Sequence, residues 1–368
     1  MYRIKEYLLQ AETSCYAKEN NSAGYRFDCG IGENPFGIPE SVREKWAGID
    51  PGMLAHYPES TEILASIIHY LSLPGDIGKE HLALGDGTIE LVCKASRMFV
   101  REKSPVLGYV PQFSAVVDDF HNQGAAYTAY RLQEGENYRF SRDAFLEMAG
   151  QREYDLIYID NPNNPTGQII APHDIEEIVS FCERRNTAVF VDEAYGDYVD
   201  SDQSAVQLIP RYRNLLVFRS FSKGLGLAGL RGGYLVSSPD MIQCYKKLSS
   251  PYSFNTPARL MASIAMQDDG FMERCRNRVF QHKKQLRENL DQFRMAETGL
   301  EVPISLLYVE DRDCDLQEYL HGFGIHTISG KRFPGLGKNC VRMNLHIDFE
   351  ALLDTLVQAD RKWRPSHA

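Results

Sequence analysis

One lysine of this chain lies among residues that could bind a compound carrying both an aldehyde and a phosphate. Lys223 follows an apolar segment, with Ser220 and Ser222 beside it and Arg231 eight residues further on. A lysine amine can form a Schiff base with an aldehyde, and hydroxyl and guanidinium groups bind phosphate. These residue types at this spacing indicate the chemistry of a pyridoxal 5'-phosphate (PLP) site.

The same segment contains a rival motif, the dinucleotide-binding pattern G-x-G-x-x-G. Gly224–Gly229 matches it, and Asp240 lies near the position of the expected ribose-binding acid. In a dinucleotide-binding fold this motif begins a crossover helix, which needs about a dozen residues or more. The next predicted strand, Gly233–Val236, begins too soon for such a helix. We therefore favour PLP; a glycine-rich loop with a solvated lysine would be the default for the segment in isolation.

Composition limits the class of protein. The chain has 368 residues, of which 43% are hydrophobic and 24% charged, and its net charge is −10. This length allows one large and one smaller domain, and the acidic balance argues against a nucleic-acid partner. Because the sequence has no run of about 18 apolar residues, we expect no membrane partner. Scattered cysteines without C-x-x-C spacing predict no metal site and a cytoplasmic location.

Alternating strands and helices are predicted to position the lysine segment. The predicted strands are His81–Gly85, Val106–Val110, Tyr154–Asp160, Ala188–Asp192, Leu215–Arg219 and Gly233–Val236. The helices predicted among them are Ile89–Arg101, Pro172–Arg185 and a stretch around Met241–Leu248. This alternation predicts an α/β fold with a mainly parallel sheet covered by helices on both faces.

The rest of the chain predicts a smaller α+β domain built from both termini. Its predicted elements are a junction at Pro251–Pro257, a long helix over Pro257–Phe293, strands near Ile304–Glu310 and Val341–Leu345, and a last helix near Phe349–Arg364. We therefore predict a large domain over residues 45–256 and a small domain over residues 1–44 and 257–368.

Several polar motifs follow predicted strands, and ligand sites in parallel sheets lie beyond the carboxyl ends of the strands. Gly87 and Thr88 would begin a helix whose free N–H groups could bind a phosphate; the alternative is an ordinary turn with Thr88 as N-cap. Asn164, in a turn rich in Asn and Pro, could donate to a phenolate oxygen, although these residues also form turns for local reasons.

An aspartate and an aromatic residue also follow predicted strands. Asp192 ends an apolar strand, and a buried carboxylate needs a partner such as a protonated pyridine nitrogen. The alternative for Asp192 is a helix cap. Phe113 could stack on a flat cofactor ring, or it could belong to the core.

Taken in order, these motifs resemble the fold-type I PLP-dependent enzymes of the class I and II aminotransferase superfamily. They are Asn-Pro-Asn-Asn-Pro-Thr-Gly at 161–167, Asp-Glu-Ala-Tyr at 192–195, Ser-Phe-Ser-Lys at 220–223 and Gly-Leu-Arg at 229–231. Within the superfamily, Glu33–Gly37, Tyr57-Pro58 and Ser250–Ser253 resemble the histidinol-phosphate aminotransferase group. The resemblance covers nearly the whole chain. It implies transfer of an amino group between an amino acid or a phosphorylated amino alcohol and a 2-oxo acid.

The resemblance also implies a role for each site residue. Lys223 would bind PLP covalently and move a proton between the substrate Cα and C4′ of the cofactor. Asp192 would pair with the pyridine nitrogen, while Asn164 and Tyr195 would contact the ring oxygen. The phosphate would be held by Gly87, Thr88, Ser220, Ser222 and Arg231, and Phe113 would stack on the ring. Arg342 would bind the substrate carboxylate, with Asn34 as a further substrate contact. Tyr57 would reach the phosphate of a neighbouring subunit, which implies a homodimer.

One segment resembles a different branch. Lys331–Leu336 is similar to threonine-phosphate decarboxylases, although the His-Gly-Gly that marks the N-terminus of that branch is absent. Arg332 is therefore a candidate to bind an anionic substrate group. The resemblance leaves two alternatives: a PLP-dependent decarboxylase of a phosphoamino acid, and a non-catalytic binding protein with a PLP fold. Every catalytic position is filled, which argues against the second.

Overall fold

The structure is a computed structural model that describes Leu9 and residues 24–59 and 61–365. Its strands are β1 Phe27–Asp28, β2 Leu82–Gly85, β3 Pro105–Val110, β4 Ala126–Arg131, β5 Leu156–Asp160, β6 Ala188–Glu193, β7 Leu215–Ser220, β8 Gly233–Ser237, β9 Arg294–Met295, β10 Ile304–Tyr308, β11 Ile325–His326, β12 Ile328–Ser329 and β13 Cys340–Asn344. Its α-helices are α1 Glu40–Ala47, α2 Thr61–Tyr70, α3 Thr88–Ser96, α4 Ser114–Asn122, α5 Arg142–Gly150, α6 Pro172–Glu183, α7 Pro239–Lys246, α8 Thr256–Met266, α9 Asp269–Asn289, α10 Leu316–His321 and α11 Phe349–Lys362.

A sheet of seven strands, in the order β2-β8-β7-β6-β5-β3-β4, forms the centre of the described part. Strands β4, β3, β5, β6 and β7 are parallel neighbours in this order, whereas β8 is antiparallel to both β7 and β2. Strands β2 to β7 therefore all end at one edge of the sheet, and β8 begins there. The prediction of an α/β fold with a mainly parallel sheet is confirmed.

The inner strands are apolar along most of their length because both faces of the sheet are covered. Every residue of β5 and β6 is buried. On β6, Val189 and Val191 belong to one core cluster and Phe190 belongs to the other. The cluster that contains Phe190 includes residues of α3, α4 and α7. The cluster that contains Val189 and Val191 includes residues of α5, α6, α8 and α9. Only the strand ends are left to carry polar side chains.

A second, antiparallel sheet lies nearer the C-terminus, with strand order β12-β13-β10-β9. Strand β1 pairs in parallel with β11, so that the segment after residue 24 joins this C-terminal region. The domain boundaries at residues 44/45 and 256/257 remain a prediction. Residues 1–8 and 10–23 of the predicted small domain lie outside the described residues.

Two of the differences from the sequence-based expectation have a local cause. The helix expected over Pro257–Phe293 is divided into α8 and α9, because Asp268 leaves the helical conformation with a ψ of 81°. Aspartate favours helix starts over helix interiors, since its side chain competes for backbone groups. Strand β4 is not among the predicted strands, because it is an edge strand whose half-buried and exposed residues form no apolar run.

Three further features concern the described residues. None of their helices has the length and hydropathy to cross a membrane, and none of their His, Cys, Asp and Glu groups could hold a metal ion. The described cysteines are free thiols.

Candidate active site

A cavity of about 320 Å³ lies at the sheet edge where β2, β3, β5, β6 and β7 end and β8 begins. The predicted residues that line it are Thr88, Phe113, Asn164, Asp192, Tyr195, Ser220, Ser222, Lys223 and Arg231. Ile31, Glu33 and Asp160 line it as well. Its volume lies within the usual range of small-molecule pockets, about 300–1,000 Å³. The structure thus brings most of the predicted site residues together.

Lys223 lies on the turn that follows β7 and is half-buried. Its Nζ is 5.6 Å from the centroid of the Tyr195 ring, and a Cβ added to Gly32 would lie 3.6 Å from the same Nζ. The carbonyl oxygen of Gly224 accepts a hydrogen bond from Asn34 Nδ2 at 2.6 Å. The Asn34 amide therefore holds the backbone of the lysine turn, and Asn34 does not line the cavity.

Groups suited to an anion line the cavity beside this lysine. Ser220 and Ser222 are buried, and the Ser222 N–H donates to Ser220 Oγ at 3.0 Å. Arg231 Nη1 donates to Ser222 Oγ at 3.5 Å. Thr88 is the first residue of α3, and the N–H groups of a helix N-terminus attract anions. A guanidinium, two hydroxyls and a helix N-terminus together form a suitable phosphate site.

Backbone geometry explains why a glycine precedes α3. Gly87 has a φ of +99°, which other residues rarely adopt. A Cβ at this position would lie 2.9 Å from Arg231 Nη2, whose guanidinium also donates to the Asp86 carbonyl at 3.3 Å. Arg231 itself has a left-handed φ of 52°, a conformation that is costly for a non-glycine residue and is often found at functional sites. Gly87 thus leaves room for the arginine that faces the cavity.

Asp192 is a buried carboxylate at the end of β6. Its Oδ2 accepts from Tyr158 OH at 3.1 Å and its Oδ1 from the Ala194 N–H at 3.0 Å. Burial and then the neighbouring Asp160 raise the pKa of Asp192 to about 7. Among the described residues, no cationic side chain forms an ion pair with it. A protonated ring nitrogen in the cavity would supply the cation that this carboxylate lacks.

Two residues next to Asp192 are absent from the site predicted from the sequence. Asp160 is the last residue of β5 and Asp192 is the penultimate residue of β6, and the two residues are register partners. Tyr158, two residues earlier on β5, holds Asp192. The signal for Asp160 was available, because it is a polar residue at the end of an apolar strand. Tyr158 was indistinguishable from an ordinary core tyrosine.

Arg342 lies on β13 and is 2% exposed. Its Nη1 donates to Asn164 Oδ1 at 3.4 Å, and its Nη2 donates to the Gly30 carbonyl. Its buried Nε has no partner among the described residues. Arg342 does not line the cavity itself, but it contacts Asn164, which does. A guanidinium in this position could bind an anionic group next to the cavity wall.

Two further predicted residues are not among those that line the cavity. Arg332 is half-buried in the turn Gly330–Arg332, ahead of β13. Tyr57 is 77% exposed and stacks on Tyr252, with 4.4 Å between ring centroids. Neither Tyr57 nor Tyr252 lines the cavity of the chain that carries it.

A buried ion network that sequence reasoning missed lies behind the cavity. Arg219 donates to Glu193 Oε2 at 2.9 Å and to Asp197 Oδ1 at 2.8 Å, and all three side chains are 3% exposed. Glu193 follows Asp192, and Arg219 precedes Ser220. The network therefore ties together the ends of β6 and β7, which carry the cavity residues.

Known proteins resemble this chain in both sequence and structure. The family model described as aminotransferase class I and II matches residues 27–359. The histidinol-phosphate aminotransferase of Ruminiclostridium cellulolyticum is 28% identical over 279 residues, 74% of this chain and 75% of that protein. That of Methanopyrus kandleri is 31% identical over 272 residues, 71% of this chain and 68% of that protein. The structure of histidinol-phosphate aminotransferase from Sinorhizobium meliloti in complex with pyridoxal-5'-phosphate shares the fold, with a TM-score of 0.78, 20% identity and 98% of each chain covered.

Proposed function

We propose, from the premise that this chain belongs to the aminotransferase class I and II family, that it binds PLP through Lys223 and uses it to transfer amino groups. The family and the two curated relatives confirm the sequence-based prediction of an aminotransferase. The observation that carries the cofactor proposal is Asp192, a buried carboxylate without an ion-pair partner among the described residues, in the same cavity as Lys223. The residues present fit PLP, because the cavity offers an amine, this carboxylate and a phosphate site.

When bound, PLP supplies a ring that can accept the electrons released at the substrate α-carbon. Lys223 Nζ would hold the cofactor and then take and return the proton of that carbon. Asp192 would keep a positive charge on the ring nitrogen, and that charge would offset the burial that raises the pKa of Asp192. Arg231, with Ser220 and Ser222, would hold the phosphate and so fix the orientation of the ring.

The proposed substrates are an amino acid or a phosphorylated amino alcohol, with a 2-oxo acid as the other partner. Support comes from the buried guanidinium of Arg342, which contacts Asn164 in the cavity wall. Curated relatives are named histidinol-phosphate aminotransferases, which makes a phosphorylated amino alcohol the first substrate to test. The decarboxylase alternative and the non-catalytic alternative are not favoured by these relatives.

We also propose a homodimer in the cytoplasm. Trp46, Leu54, Tyr57 and Tyr252 are large side chains between 52% and 77% exposed, and exposed apolar groups of this kind are common at interfaces. The turn that carries Tyr252 reaches the anion site, since the Phe254 N–H donates to Asp86 Oδ1 at 2.8 Å. The free cysteines support a reducing compartment.

The substrate test is a screen of amino acids and phosphorylated amino alcohols against a set of 2-oxo acids. We expect new amino acid and new oxo product in equal amounts, and no CO₂. Lys223→Ala is the matched control, since it removes the amine from the same cavity. Release of CO₂ without amino transfer would favour the decarboxylase alternative, and no reaction with any amine would contradict the proposed function.

Subunit complementation tests the dimer and the role of Tyr57 together. Tyr57→Ala and Lys223→Ala should each be inactive because of a different defect. In a mixed dimer, one site would combine an intact Lys223 with an intact Tyr57 from the other chain. Mixing the two variants should therefore restore about a quarter of wild-type activity. Absence of recovery from chains that do exchange would contradict a shared site.

A further inference from the structure

Two carboxylates stand side by side at the end of the central sheet. Asp160 of β5 and Asp192 of β6 are register partners on adjacent parallel strands. They are 3% and 4% exposed, and both line the cavity. The proposed function uses only Asp192. A second buried carboxylate is costly unless something compensates for its burial, so the partners of Asp160 are informative.

Four donors from two separate turns converge on Asp160. Its Oδ1 accepts from Asn163 Nδ2 at 3.0 Å and Gln112 Nε2 at 3.2 Å. Its Oδ2 accepts from the Asn164 N–H at 3.0 Å and the Phe113 N–H at 3.4 Å. Phe113 follows β3 and Asn164 follows β5, and both line the cavity. One carboxylate thus joins two parts of the cavity wall.

We propose that Asp160 is a positioning residue of the cofactor site: it holds the Phe113 and Asn164 turns in place and sets a second negative charge beside Asp192. This inference rests on the proposed function for its link to PLP. Its two parts are separable, because the bonds act on the shape of the wall and the charge acts on the ionisation of Asp192.

The difference in partners decides which carboxylate ionises first. Asp160 accepts four hydrogen bonds and Asp192 accepts two, so the negative charge is better stabilised on Asp160. Burial raises the pKa of both, and the charge on Asp160 raises the pKa of Asp192 further. In the cofactor-free chain, Asp160 therefore ionises before Asp192. If the protonated pyridine ring of PLP were bound, Asp160 and Asp192 would together place two negative charges near its one positive charge.

Of the other titratable groups near this pair, three tyrosines stay neutral and one glutamate is paired elsewhere, while Glu33, Tyr195, Lys223 and Arg231 line the same cavity. Tyr109 OH donates to the Asp160 carbonyl, Tyr158 OH donates to Asp192 and Tyr127 OH donates to Gln112. Burial raises the pKa of all three tyrosines far above neutrality. Glu193 is paired with Arg219. Replacing Asp160 with asparagine therefore changes the charge next to Asp192 while keeping nearly the same shape.

The charge is tested in cofactor-free protein by comparing Asp192→Asn with its parent in two backgrounds, wild type and Asp160→Asn. In each background, urea unfolding gives the stability difference between the protein with Asp192 and its Asp192→Asn variant as a function of pH. The value to compare between the two backgrounds is the pH midpoint, at which half of that difference has developed. We expect the midpoint to lie about one pH unit lower in the Asp160→Asn background. Asp119→Asn is the matched control, since Asp119 is a half-buried carboxylate of α4 that is hydrogen-bonded to Gln123.

The positioning role is tested by equilibrium binding of PLP, followed by absorbance. Asp160→Asn should raise the dissociation constant about tenfold or more, and Asp119→Asn should leave it unchanged. If Asp160→Asn lowers stability while the pH midpoint and the PLP affinity stay at their wild-type values, the residue is merely structural and the proposal is wrong. If wild-type protein fails to bind PLP, the proposed function fails, and the pH midpoint alone still decides whether Asp160 acts on Asp192.

Discussion

Asp192 has no ion-pair partner among the described residues, and this leads to a prediction about the stability of the cofactor-free protein. Its pKa is raised from 3.8 to about 7, first by burial and then by Asp160. A carboxyl group whose pKa is higher in the folded than in the unfolded state does not lower the free energy of unfolding while it is protonated in both states. The folded state loses stability as the pH rises from the unfolded pKa through the folded one. Asp192→Asn removes this ionisation and keeps a side chain of nearly the same shape.

The size of the effect follows from the shift. A rise from 3.8 to about 7 is about three pH units, and each unit corresponds to about 1.4 kcal/mol. The carboxylate of Asp192 should therefore lower the free energy of unfolding by about 4 kcal/mol between about pH 4 and about pH 8. The Asp192→Asn protein should lack this component and be the more stable of the two at the higher pH.

Urea unfolding of cofactor-free wild type and Asp192→Asn, at several pH values in that range, measures the difference directly. Saturating PLP should then stabilise wild type more than the variant at the higher pH, because a protonated ring nitrogen neutralises the carboxylate. A stability difference that does not change with pH would refute the reasoning. It would mean that Asp192 is already compensated within the protein.

Three further predictions concern other parts of the chain. Gly87→Ala should weaken PLP binding about tenfold, because the residue has a φ of +99° and its Cβ would meet Arg231; wild-type affinity would contradict the phosphate site. Lys283→Met should lower the free energy of unfolding by about 3 kcal/mol without changing turnover of the folded enzyme, because the Nζ of the buried Lys283 lies within 2.9 Å of four oxygens; unchanged urea unfolding would refute this. Arg342→Gln should raise KM for an anionic amino donor about 100-fold. Arg332→Gln should raise this KM less, unless the substrate carries two anionic groups. If KM is unchanged in both variants, neither arginine contacts the substrate.

Most of the cavity could be predicted because many of its residues lie at the end of an apolar strand or in the turn that follows it. Lys223 and Asn164 lie in polar turns at the ends of β7 and β5, and Asp192 is the penultimate residue of β6. Such a boundary is visible in one sequence, and the parallel arrangement then brings the turns together. The order of the strands was not visible, since it depends on which apolar strands pair across long stretches of chain.

Contacts across the fold could not be predicted in this way. Arg342 donates to the carbonyl of Gly30, 312 positions earlier, and Asn34 donates to Gly224, 190 positions later. Nothing near either residue in the sequence indicates its partner. The same holds for Arg219, whose pairing with Glu193 and Asp197 depends on β6 and β7 being neighbours.

The covalent attachment of PLP to Lys223 is the central claim. Purified protein loaded with PLP should be yellow, and borohydride should fix the cofactor permanently to the chain. After proteolysis, mass spectrometry should place the label on the peptide that contains Lys223, and Lys223→Ala should remain unlabelled under the same conditions. Label on a different lysine, or equal labelling of Lys223→Ala, would contradict the account.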